Sequence, residues 1–316
     1  MASTSVTSKD ELTQGKNISF VKDIQMMMFG LGDCPDPLLE TAQLIEIIVL
    51  EQMISLLYQA KEVADLRGAP AVGPEDVLFL MRNNISALKR LISYLGLKDG
   101  KNALNKIMAS EEVPDLPPTL LPASQTEQVE PENELSMELD LNEEVKGKPL
   151  VTWKKSRKGY CLQFLEKIGI EEEDLEGVED EVKEERLSRA NSVTMNLSSK
   201  AYEEYHMSRC ASFANNQMSA KRFVDWLKYI GRYRDEICGP LLEILVYIAK
   251  ETIAILIDMV LTLREEANQE PMIQPPPISP DEIREVVRRC VSQQSIPMSL
   301  FSRDVMPTIN KKLIAI

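Results

Sequence analysis

Residues 37–67 read PLLETAQLIEIIVLEQMISLLYQAKEVADLR, and residues 240–267 read PLLEILVYIAKETIAILIDMVLTLREEA. Both open on Pro-Leu-Leu-Glu, stay apolar for most of their length and reach a Leu-Arg step, Leu66-Arg67 and Leu263-Arg264. Each predicts one helix of about 28 residues, roughly 40 Å long at 1.5 Å rise per residue. In the first, Leu44, Ile45, Ile47, Ile48, Val49 and Leu50 cannot share one face. Only a narrow polar stripe remains, with Glu40, Gln43, Glu51, Ser55, Gln59 and Glu62. A helix apolar nearly all round must be buried on several sides.

After each long helix a loop closes on a helix-start signal, Gly73-Pro74-Glu75-Asp76 or Ser279-Pro280-Asp281-Glu282. Proline suits the first helical position, and carboxylates suit the exposed N–H groups there. Ser279 and Glu282 also stand at capping-box spacing. Before the first long helix, Phe20, Ile24, Met27, Met28 and Leu31 recur at helical spacing and predict a helix from Ser19 to about Gly30. Phe223, Leu227 and Ile230 do the same before the second, stopping at Gly231. Short, long, short is the layout of a histone fold, and this all-α chain carries it twice. Two short helices cover only part of a long apolar rod, so each copy needs a partner. The loops of such folds are expected to make short strand contacts with that partner. With both copies in one chain, the two histone folds are expected to form an intramolecular pair. A flexible tether would hold them at an effective concentration on the order of millimolar.

The expected organisation is a disordered lead-in over 1–15 and an N-terminal histone fold over 16–98. An acidic, largely disordered linker follows over 99–217, partly ordered near 182–217. A C-terminal histone fold over 218–292 and a tail over 293–316 complete it. Charge follows this division. Residues 18–98 carry 7 Lys/Arg against 10 Asp/Glu, residues 99–217 carry 14 against 25, and residues 218–316 carry 13 against 13, within a net −14. Proteins that wrap DNA draw on phosphate neutralisation by Lys and Arg, and neither repeat has the excess to supply it. The basic doublets of the repeat regions and tail, Lys89-Arg90, Lys221-Arg222, Arg288-Arg289 and Lys311-Lys312, read as solvated surface.

No apolar run reaches the roughly 18 uncharged residues of a membrane span, and the N-terminus lacks the apolar core of a signal peptide. Five cysteines (Cys34, Cys161, Cys210, Cys238, Cys290) form no CxxC pair, and His206 is the only histidine. Clustered metal ligands are therefore not expected, and free thiols fit a reducing compartment. No nucleophile–base set or phosphate-cradling glycine loop is legible. Within the linker, Trp153 to Lys158 is a basic island of nuclear-localisation type. Cys161 to Leu165 with Ile168 suggests a short helix, Glu171 to Glu185 reads as a solvated charged run, and Tyr202 to Arg209 suggests order against the core.

ISFVKDIQMMMFGLGD (18–33), LRGAPAVGPEDVLFLMR (66–82) and RCASFANNQMSAKRFVDWL (209–227) together resemble the Spt-three family, the double-histone-fold subunits of SAGA-type coactivator complexes. The resemblance covers about residues 16–98 and 182–290. The first fold is similar to the TFIID subunit of thirteen type and the second to that of eleven type. The resemblance implies a nuclear, non-enzymatic subunit of a SAGA-type histone acetyltransferase complex, without cofactor. It would engage TATA-binding protein, help deliver it to RNA polymerase II promoters and bind other subunits, with direct DNA binding weak or absent. The alternative is a DNA-binding histone-fold doublet in chromatin or promoter architecture. TATA-binding protein is basic on surfaces it uses for DNA and cofactors. Acidic groups on a rigid helix can steer such an association. Glu243, Glu251 and Asp258 lie on one broad stripe of the second long helix and are the expected contacts. Glu251→Lys is expected to weaken that binding and leave helix content unchanged.

Overall fold

The computed structural model describes residues 18–109, 156–195, 197–267, 276–292 and 313–316. The first repeat forms α1 (Val21–Leu31), α2 (Leu39–Leu66), α3 (Pro74–Met81) and α4 (Ile85–Ala109). An arm follows with α5 (Arg157–Lys167), α6 (Glu172–Glu176), α7 (Glu181–Thr194) and α8 (Ser199–Cys210). The second repeat forms α9 (Gln217–Asp225), which runs into a π-helical turn over Trp226–Ile230, then α10 (Gly239–Ala267) and α11 (Pro280–Ser292). The two long helices have 28 and 29 residues.

Each short third helix starts where the sequence signal stands, and an arginine from the preceding long helix locks it. Pro74 opens α3, and the wholly buried Asp76 carboxylate accepts from the Gly73 N–H at 2.8 Å. Arg67, just past α2, forks onto Asp76 with Nε at 3.0 Å and Nη2 at 2.9 Å. The second repeat builds the same clamp. Glu282 accepts from the Ser279 N–H at 2.8 Å and its hydroxyl at 2.9 Å, and Arg264 forks onto Glu282 at 2.6 and 2.9 Å. The recurrent Leu-Arg step is thus one half of a clamp, and the capping acid is the other. Such charge-assisted, bidentate bonds are about twice as strong as neutral ones.

The two histone folds pair within the chain. α10 packs on α1, α2 and α3, and α11 packs on α2. One continuous core joins Val49 and Leu56 of α2, Leu245 and Leu256 of α10, and Cys161 and Leu165 of the arm. The apolarity of α2 would suffice for a membrane span by length and composition, and this packing accounts for it. The pairing is head to tail. At one end, Thr41 Oγ1 donates to the Ile278 carbonyl at 2.6 Å, and Asp33 Oδ1 accepts from the N–H groups of Ile278 and Cys34 at 2.9 and 2.8 Å. At the other end Tyr58 meets Tyr233, and Gly231 approaches Ile54 so closely that a Cβ would fall 2.5 Å from its Cδ1. Strand contacts were expected between these loops. Among the described residues there are none. Pro276 and Pro277 offer no N–H to a ladder, so side chains make the connection instead.

An aromatic cluster seals the start of the first fold to the second. Phe20 lies edge-on to Phe213, Phe223 and Trp226 at 5.1 to 6.1 Å, and Arg222 covers the Phe20 ring at 4.2 Å while pairing with Asp23. The last four residues return to the first fold. Leu313 and Ala315 are buried, and the Ile314 N–H donates to Gln52 Oε1 at 2.8 Å.

Between 99 and 217 the structure carries four helices and the end of α4; residues 110–155, where the linker expectation also falls, lie outside the described residues. The lead-in over 1–15 and tail residues 293–312 lie outside them too. The recurrence of Ile85, Leu88, Leu91, Ile92 and Leu95 predicts an amphipathic helix that stops at Gly96; α4 instead continues to Ala109. The physical reason is tertiary. Gly96 sits mid-helix where Lys158 of α5 crosses, its Cδ 3.3 Å from where a Cβ would be. Glu171 to Glu185, read as a solvated charged run, is mostly exposed, and it forms α6 and the start of α7 with Leu175 buried.

Candidate functional site

The expected partner stripe lies on α10, and the arm covers it. Glu243 accepts a fork from Arg157, at 2.8 Å from Nε and 3.1 Å from Nη2. Glu251 accepts both its bonds from Arg186 Nη1, at 2.9 and 3.1 Å, and Arg90 Nε stands 3.4 Å away. Asp258 is shared by Arg186 Nε at 2.7 Å and Arg189 Nη1 at 2.8 Å. The structure therefore brings all three carboxylates onto one stripe. It does not present them as an open acidic face, since their side chains are only 9 to 17 % exposed. The cause lies in the arm: Arg157, Arg186 and Arg189 stand at the spacing needed to meet Glu243, Glu251 and Asp258. Burial alone would lower the affinity of the Arg186 guanidinium for its proton, but Glu251 and Asp258 more than reverse this and hold it above its usual range. Arg157 is raised in the same way, burial opposing and Glu243 and Asp99 prevailing.

The arm touches both folds. α5 packs on α3 and α4, with the Tyr160 hydroxyl donating to Glu75 at 3.0 Å. The Lys89 ammonium donates to the Glu176 carbonyl at 3.2 Å and to that of Val178, and Arg90 Nη1 holds Asp180 at 2.8 Å. α8 lies along α1, with Gly30 so close that a Cβ would fall 2.7 Å from backbone atoms of Ser208 and Arg209. Tyr205 is buried there against Phe29. Sequence reasoning found the three acids and missed their partners. Arg157 was grouped with the basic island, whose first residues, 153–155, lie outside the described residues. Arg186 and Arg189 were lost in an acidic average. The one available signal was the seven- and eight-residue spacing of the acids, which asks for matching cations.

Most residues of the basic doublets are also engaged, while Lys221 is exposed. Lys89 and Arg90 hold the arm, Arg222 holds Asp23, and Arg288 and Arg289 both reach Glu285 on their own helix; Lys311 and Lys312 lie outside the described residues. Burial pushes the Cys161 thiol up to about 12, with Asp99 and Glu243 adding to it, far from a reactive thiolate. Cys210 and His206 stand one turn apart on α8, Sγ and Nε2 separated by 3.7 Å, the ordinary meeting of helix positions four apart.

Comparison with known proteins places the first fold. The sequence pattern of the transcription initiation factor IID 18 kDa subunit family matches residues 18–109. The chain is 48 % identical over 82 residues to the SAGA complex subunit SPT3 of Saccharomyces cerevisiae, a stretch covering 26 % of this chain and 24 % of that protein. It is 40 % identical over 85 residues to SAGA complex subunit Spt3 of Schizosaccharomyces pombe, covering 27 and 28 %. It is 33 % identical over 97 residues to transcription initiation factor TFIID subunit 13 of Dictyostelium discoideum, covering 29 % of this chain and 90 % of that protein. The match thus spans about a quarter of the length of the two SAGA subunits and nearly all of the TFIID one. With a first histone fold of the TFIID 18 kDa type paired to a second fold in the same chain, the protein belongs to the Spt3 family.

Proposed function

We propose that the chain is a non-catalytic subunit of a SAGA-type transcription coactivator complex, working in the nucleus. In this reading it engages TATA-binding protein and helps deliver it to RNA polymerase II promoters. The observation that carries it is the intramolecular histone-fold pair, which completes in one chain what a TFIID-like fold otherwise needs a second subunit to provide. The relatives named above are transcription-complex subunits, and their names describe no enzyme. A DNA-wrapping role is less well supported, because Lys89, Arg90, Arg222, Arg288 and Arg289 bind the protein's own carboxylates, carbonyls and rings. The domain limits 16–98 and 218–292, with a linker between, are part of this proposal.

Glu243, Glu251 and Asp258 enter as a conditional surface. They can meet a basic partner only where Arg157, Arg186 and Arg189 let go, so the partner would replace the arm as counter-ion. The test is binding of the full chain to purified TATA-binding protein and, in parallel, to duplex DNA across a salt series. Saturable binding to the protein with little DNA affinity supports the proposal. DNA binding that collapses with salt, with none to TATA-binding protein, overturns it in favour of the histone doublet.

A further inference from the structure

A cleft of about 320 Å³ opens between α1, α4, α7, α8 and α10. Six cationic side chains line it: Arg90, Lys183, Arg186, Arg189, Arg209 and Lys250. Their carboxylate partners among the described residues are Asp180, Glu185, Glu251 and Asp258. Arg90, Arg186 and Arg189 meet these acids. The Lys183 and Arg209 side chains are exposed and, among the described residues, form no ion pair, one on each wall. Between them the floor is apolar, made by Met27, Leu31, Leu187 and Ala190. The Tyr205 hydroxyl also lines it and donates to no described group; burial raises its pKa, while Arg209 and Arg189 pull it back. Of the floor residues, Leu187 is 52 % exposed, an apolar side chain left open beside the cations.

We propose that this cleft is a docking site for an acidic peptide segment of a partner protein, one in which a bulky apolar residue is flanked by Asp or Glu. The floor takes the apolar side chain, and Lys183, Arg209 and the Tyr205 hydroxyl meet the flanking carboxylates. A small polyanion satisfies the rim and leaves the floor uncovered. A neutral apolar peptide does the reverse. In a chain of net charge −14, the exposed cations Lys183 and Arg209 steer an acidic segment to this cleft. The site borders the acidic stripe of α10, through Arg186 and Arg189, but does not rest on contact with TATA-binding protein.

The test uses the full chain and a fluorescein-labelled peptide, GSDELDFDELDGS, read by fluorescence anisotropy in about 50 mM salt. Three controls accompany it: the same peptide with Leu and Phe replaced by Ser, the same peptide with its acids amidated, and tripolyphosphate as competitor. Saturable binding is expected, weakened about tenfold or more, equivalent to about 1.4 kcal/mol, by Lys183→Glu with Arg209→Glu. Leu187→Ser and the serine peptide should weaken it several-fold, and Arg284→Glu, outside the cleft, should leave it unchanged. Lys183 and Arg209 are exposed and form no ion pair among the described residues, so the reversed protein should keep its helix content, checked by circular dichroism. The proposal is overturned by absence of binding at 100 µM peptide, or by equal binding to wild-type and charge-reversed protein. Equal affinity of the serine peptide, or full displacement by tripolyphosphate at matched charge, also overturns it and identifies a small-anion site.

Discussion

Replacing Glu251 with alanine removes the centre of the arm's attachment. Glu251 is 8 % exposed and faces two guanidinium groups, Arg186 at 2.9 Å and Arg90 at 3.4 Å. Deleting one partner of a buried ion pair costs about 3–5 kcal/mol, because the other charge is left uncompensated. Here Asp258 still holds Arg186, Asp180 still holds Arg90, and the Arg186 side chain is 21 % exposed. The expected loss is therefore nearer 2–3 kcal/mol, or a fall of about 5–10 °C in Tm for a domain of this size. The assay is thermal unfolding of the full chain by circular dichroism, with Arg186→Met and the double variant completing a cycle. The coupling should be about 1–2 kcal/mol, since the residues touch. Buried pairs are weakly screened, so the loss should persist in 0.5 M salt. A fall below about 1 °C, or one that vanishes in salt, would refute the burial argument. The same geometry revises the expectation for Glu251→Lys. A third cation would stand against Arg90 and Arg186, so helix α7 should loosen and helix content fall, and lost partner binding in that variant alone would not locate the contact.

Further predictions test the clamps, the packing and the pairing. Asp76→Ala should destabilise the first fold by about 2–3 kcal/mol, measured by urea unfolding, because it strands the Gly73 N–H and leaves Arg67 only its pair with Glu75; an unchanged midpoint would remove the clamp from the account. Burial raises the Glu282 carboxyl, but Arg264 and Ser279 outweigh it and hold it below the usual carboxylate range. Its contribution is then complete above the unfolded carboxylate pKa and is lost as pH falls through the lower folded value, so wild-type Tm should drop more steeply than that of Glu282→Gln below about pH 4.3. Gly30→Ala should cost about 1–3 kcal/mol by overpacking and increase protease cleavage near α8, since its Cβ would sit 2.7 Å from the Ser208 and Arg209 backbone. Finally, residues 1–155 and 156–316 made separately should be poorly folded and should recover helix when mixed, while the intact chain runs as a monomer in light scattering. Two well-folded monomeric halves would defeat the intramolecular pairing.

How much of this was legible depended on the range of the interaction. The two long helices, their caps and the pairing of the folds follow from apolar surface and from signals a few residues apart, such as Pro74 and Asp76 or Ser279 and Glu282. The Leu-Arg step was visible in both repeats, but its purpose was not, because Arg67 meets Asp76 across a loop whose path the sequence does not state. The arm was the hardest part. Helix α7 has little apolar periodicity, and of its residues only Ala190 is buried. What holds it is charge placed against charge 65 to 72 residues away, which no local pattern records. Gly96 misled for the opposite reason. Glycine is a common helix stop, and only the approach of Lys158 shows it to be a point of close packing.

Net charge was the poorest guide where it was most extreme. Averaged over 99–217, 14 cations are outnumbered by 25 anions, and the segment looks like a solvated spacer. Yet Arg157, Arg186 and Arg189 are all turned onto one helix of the second fold, and Lys158 and Glu172 tie α5 to α6. The excess acid can remain in water while the minority charge makes the contacts. This arrangement gives the α10 stripe a resident competitor. An external basic surface must match several guanidinium groups delivered at high local concentration, so a weak or partial mimic is excluded. If the stripe is a partner site, as proposed, the arm would act as a threshold on binding at Glu243, Glu251 and Asp258. Its strength should be tunable without touching those acids: Arg189→Gln, which removes one bond to Asp258 and leaves all three carboxylates in place, should tighten any partner that uses the stripe. If that variant leaves affinity for TATA-binding protein unchanged while Glu251→Gln also does, the stripe is a structural seam and the contact lies elsewhere on the molecule.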